Sequence, residues 1–106
     1  MTAKEFGQSM FQIGFLYSQA LFHMREPYRT AALATLNILE QQLTELLRMR
    51  CSGGRELTDE QFGLLMAWLG IIEGVAYFTP DPAKTALFGA VSAMMDILTK
   101  MKEKDK

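Results

Sequence analysis

Apolar side chains recur along this chain at helical spacing, and in two segments they recur all the way round. From Leu57 to Phe78, the residues Phe62, Leu65, Met66, Leu69, Ile72 and Ala76 share one helical face. Leu64, Trp68, Ile71, Val75 and Phe78 form a second apolar stripe, with Gly63, Ala67, Gly70 and Gly74 in a band between the two. Between Gln61 and Thr79 the single charge is Glu73. A helix that is apolar on every side must be covered on every side, by its own chain or by another. Thr58 and Gln61 form a capping box and Leu57 can staple onto Phe62, so the pattern predicts a central helix over 59–78.

The N-terminal segment follows the same plan. A Thr2/Glu5 capping box precedes a predicted helix over 3–24, whose seam is Phe6, Met10, Ile13, Tyr17, Ala20 and Met24. Phe11, Phe15 and Phe22 make its second stripe, and Gly7, Gly14 and Ser18 lie between. Glu5, Gln8, Gln12, Gln19 and His23 are the side chains suited to water. Small residues let backbones approach, so the shared plan predicts that the first and central helices pack closely against each other.

The other two segments are apolar on one side. Pro27 opens a helix over 27–50 with the seam Tyr28, Ala32, Leu36, Leu39, Leu43 and Leu46, widened by Leu33 and Leu47. Asn37, Gln41, Thr44, Glu45 and Arg48 face the other way, and Ser52-Gly53-Gly54 is the stop signal. Asp81 as cap with Pro82 at the first position starts a helix over 82–102, with Leu87, Val91, Met94, Leu98 and Met101 inside. The charged tail from Lys102 is expected to fray. Four helices, short connections and no strand-like alternation predict an all-α, antiparallel four-helix bundle forming one domain over 1–106.

Composition narrows the function classes. A chain of 106 residues can build a modest core without metal or disulfide support. A net charge of −1 argues against direct nucleic-acid binding, which rests on neutralising phosphates. One cysteine, Cys51, and no signal peptide favour a cytoplasmic location. Glu73 and the glycines around it weigh against a membrane-spanning role for the central helix.

Candidate chemistry is sparse. The chain shows no catalytic motif, so it reads as a non-enzyme without cofactor or metal. His23 is the one histidine and cannot assemble a zinc set. Cys51 sits among Arg48, Arg50 and Arg55 without a histidine to act as base, and reads as an ordinary helix-end thiol. Those arginines are followed by Glu56, Asp59 and Glu60, which reads as a solvated loop. Glu73 falls on the line of Phe62, Met66, Leu69 and Tyr77 and is expected to be a buried polar group in need of a partner. That partner is either a local tyrosine, lysine or arginine, or a polar contact across an interface.

More apolar surface is encoded than one small bundle can hide, and such surface marks interaction sites. The expected interface, with a second copy or with another protein, is Phe11, Phe15, Phe22, Leu64, Trp68, Gly70, Ile71, Gly74, Val75 and Phe78. Alternatives are a small-molecule-binding bundle with an apolar pocket, or a small membrane-associated protein. In length, all-helical pattern, near-neutral charge and wealth of Phe, Leu and Met, the chain resembles the small QslA-like anti-activators of bacterial quorum sensing. That resemblance implies a homodimer that engages the ligand-binding domain of a LuxR-type transcription regulator and blocks its dimerisation or DNA binding. It carries over no functional residue.

Overall fold

The computed structural model describes residues 2–51 and 57–104, which form four helices: α1 (Ala3–His23), α2 (Tyr28–Cys51), α3 (Asp59–Ala76) and α4 (Ala83–Lys104). The encoded starts are made by the residues that announce them. The Thr2 Oγ1 accepts from the Glu5 N–H at 3.0 Å while the Thr2 N–H donates to the Glu5 carboxylate at 2.8 Å. Thr58 and Gln61 reciprocate in the same way, both at 3.0 Å. Asp81 accepts from the Thr85 hydroxyl at 2.7 Å and the Thr85 N–H at 3.1 Å. Those two donors, the hydroxyl foremost, hold the Asp81 carboxyl below its usual range.

Contacts at the helix ends fix the directions. Tyr28, at the start of α2, stacks on Phe78 just past the end of α3, with centroids 4.8 Å apart. Lys102, near the end of α4, pairs with Asp59 at the start of α3 and reaches the Leu57 carbonyl at 3.5 Å. Neighbouring helices therefore run antiparallel. α1 packs along α2 and α4, and α3 packs along α2 and α4, while among the described residues the backbones of α1 and α3, and of α2 and α4, stay apart on opposite sides of one shared core. The four helices stand at the corners of a square, in a molecule 42 × 23 × 20 Å.

α2 and α4 bury the seams expected of them, Ala32, Leu36, Leu39, Leu43 and Leu46 on one and Leu87, Val91, Met94, Leu98 and Met101 on the other, except that Tyr28 is only half-buried. α1 is rotated from expectation, whereas α3 buries the face expected of it, with Phe62 and Met66 half-buried at its edge. α1 buries Glu5, Ser9, Ile13, Leu16 and Ala20, so Phe6, Met10 and Tyr17 lie half-buried beside the seam. α3 buries Leu65, Leu69, Ile72 and Ala76. Close packing of α1 on α3 does not occur, because the two stand at diagonal corners. Their glycines face outward instead: a Cβ added at Gly7, Gly14, Gly63, Gly70 or Gly74 would meet nothing within 4 Å.

Two helix ends differ from expectation by two residues, the other boundaries by one residue or none. α3 stops at Ala76, and a tight turn follows in which the Phe78 and Thr79 N–H groups donate to the Val75 and Ala76 carbonyls at 3.2 and 2.9 Å. α4 continues to Lys104, its last turns tied down by Lys102, where fraying was expected. The stop signal Ser52-Gly53-Gly54 and the side chains of Arg50, Cys51 and Arg55 lie outside the described residues. Among the described residues no helix is long and apolar enough to cross a membrane.

Candidate protein-interaction faces

Diagonal placement turns the outer sides of α1 and α3 in opposite directions, and both are apolar. From Phe6 to Phe22 the chain carries no charged residue. Its outer side presents Gly7, Phe11, Gly14, Ser18, Leu21 and Phe22, with Phe11 72% and Phe22 77% exposed. Phe15 sits half-buried against the core at the edge of this face. Leu21 escaped the sequence reading, although it stands three residues from Ser18 and seven from Gly14 on the same helical line.

On the other side, α3 presents Leu64 and Ile71, each 47% exposed, along one edge of the stripe Gly63, Ala67, Gly70 and Gly74. Phe78 continues the face past the helix end and is 62% exposed. Trp68 and Val75 are half-buried and rest against the core, so they form the inner margin of this face. The ten interface residues expected from sequence thus divide by helix into two separate surfaces. The α1 set and the α3 set are carried by helices that do not pack along each other.

Glu73 corrects the expectation of a buried polar group. The buried line of α3 is Leu65-Leu69-Ile72-Ala76, and Glu73 lies one residue beyond Ile72, turned about 100° out of the core. Its side chain is exposed. The tyrosine–carboxylate pair anticipated for it occurs elsewhere: Tyr17 on α1 is coupled to Glu40 on α2. Partial burial raises the Tyr17 hydroxyl above its ordinary value, and the nearby Glu40 carboxylate pushes it further. Nothing in the spacing of one helix could have revealed a contact between two.

Open hollows mark the surface, two of them among the described residues beside α1 and α3. One of about 720 Å³ lies between the start of α1 and the end of α4, lined by Thr2, Lys4, Glu5, Gln8, Ile97, Lys100 and Glu103. The other, about 420 Å³, runs along the C-terminal half of α3 towards α4, lined by Gly70, Glu73, Gly74, Tyr77, Phe78 and Phe88. Trp68 lines neither, and His23 stands exposed at the last turn of α1. Comparison with protein-family models, with curated proteins and with solved structures finds no match for this chain.

Proposed function

We propose that this protein is a non-catalytic, two-sided interaction module: α1 joins it to a second copy of itself and α3 docks another protein. The observation that carries this reading is the pair of apolar outer faces on diagonal helices, pointing away from each other. A two-fold interface sets a surface against itself. The α1 face suits that arrangement because it has no charge to meet its own copy. The α3 face is left free on the far side of each protomer. In its most specific form the proposal is a cytoplasmic anti-activator whose partner is a LuxR-type transcription regulator, held so that it cannot dimerise or read DNA. That form draws on the resemblance in length, helicity and composition.

Solution mass and binding test it together. Sedimentation of the wild type is expected to give a dimer, and pull-down of the ligand-binding domain of a LuxR-type receptor is expected to succeed. Gly70→Leu, which fills the α3 stripe, should reduce the pull-down and leave the dimer, while Gln41→Ala on the polar side of α2 should change neither. A monomer at high micromolar concentration would remove the α1 half of the proposal. Equal capture by wild type and Gly70→Leu would remove the α3 half.

A further inference from the structure

The trough at the end of α3 combines features that select one kind of group. Glu73 is the one charge between Gln61 and Thr79, is exposed, and its carboxylate makes no ion pair and accepts no hydrogen bond among the described residues. Tyr77, Phe78 and Phe88 line the same hollow. α3 ends here with no basic residue in its own last turn, so the negative end of its dipole faces this hollow without a cation from α3 itself. One ring already holds a cation: the Lys84 ammonium lies 5.3 Å from the Tyr77 centroid. A carboxylate, aromatic faces and a helix C-terminus all favour positive charge.

We propose that this trough receives a basic side chain, best an arginine, carried by the protein segment that docks on α3. The inference rests on the interaction reading above and names the chemistry of the partner. A free small cation is disfavoured by shape. Ligand sites enclose most of their ligand, whereas this hollow is shallow and open, so the cation must arrive on something that also covers Leu64 and Ile71. A second copy is disfavoured by register. Antiparallel two-fold pairing about the middle of the stripe 63–74 sets Glu73 opposite Leu64, a carboxylate against a leucine. Arginine fits best because its planar guanidinium can stack on a ring while it donates two hydrogen bonds to one carboxylate.

Selection from a phage library of helical peptides, randomised along one face, tests this without knowledge of the partner. Peptides chosen on the wild type, and lost when Ile71→Glu spoils the α3 face, should carry an arginine or lysine flanked by apolar residues at helical spacing. Their affinity for Glu73→Gln should fall roughly tenfold or more, the scale of a hydrogen bond to a charged group. Selection on Glu73→Arg should return an acidic residue at the same position. Both substitutions alter an exposed side chain, so the fold is expected to persist. Ile71-dependent peptides that lack a basic residue, or that bind Glu73→Gln as tightly, would overturn the inference and leave α3 docking intact. Peptides indifferent to Ile71→Glu, or none recovered, would overturn both.

Discussion

Ser9 is the residue whose environment is least satisfied. It is 0% exposed, and its hydroxyl finds no hydrogen-bond partner among the described residues. Burying a hydroxyl without a partner costs on the order of 1–3 kcal/mol, and alanine fits the same helical position with better propensity. Ser9→Ala is therefore expected to stabilise the fold by about 1 kcal/mol, read as a higher urea midpoint at unchanged slope. A lower midpoint would mean that Ser9 has a polar partner in solution. Tyr17 makes the second prediction at this scale. Its hydroxyl titrates higher in the folded chain than in the unfolded one, so the folded state holds that proton more tightly. The associated stability is present below the unfolded tyrosine pKa of about 10 and is lost as pH rises through the higher folded value. Tyr17→Phe should flatten that alkaline loss, measured by denaturation at stepped pH, and a parallel decline in both proteins would count against the Glu40 coupling.

The helices differ in how much a periodic pattern can say about them. α2 and α4 each have one polar side, so only one orientation hides the oily residues, and their seams were legible residue by residue from Leu36 to Met101. α1 and α3 are apolar nearly all round. Several rotations then bury similar area, and the choice is made by neighbours: α1 turns Ser9 and Leu16 inward in place of Met10 and Tyr17, while α3 keeps Leu65-Leu69-Ile72-Ala76 of its expected face and turns Glu73 and its glycines outward. Packing among four partners is not written into the spacing of one. The outward glycines give this scale its prediction. Helix-interior glycine is about 1 kcal/mol less favourable than alanine, and at Gly63, Gly70 and Gly74 an added Cβ meets open space. The triple change to alanine should raise stability by roughly 2–3 kcal/mol in the isolated chain if those propensities add. It should also weaken whatever approaches α3 closely. A stabilised triple variant with undiminished partner binding would show that the small residues serve no contact.

At the scale of the molecule, the question is whether two oily faces are one function or two. Had α1 and α3 been neighbours, Phe11, Phe22, Leu64 and Ile71 could have merged into a single patch serving one contact. The square arrangement separates them, with α2 and α4 presenting ordinary polar surface between. A stable interface buries roughly 600–1,000 Å² on each partner, about what one side of a helix of 18 to 21 residues can offer together with its flanks. Each face is thus the right size for one contact and too small for two. Independent faces should fail independently. Phe11→Glu places a charge at the centre of the α1 face and is expected to weaken dimerisation about thirtyfold or more, the scale of losing one well-buried aromatic anchor, while partner binding per protomer persists. Ile71→Glu should do the reverse. Analytical ultracentrifugation of both variants, with binding measured on the same samples, separates the cases. If either substitution abolished both activities in a chain that still melts cooperatively, the faces would be coupled, and α2 and α4 would have to transmit the change across the core.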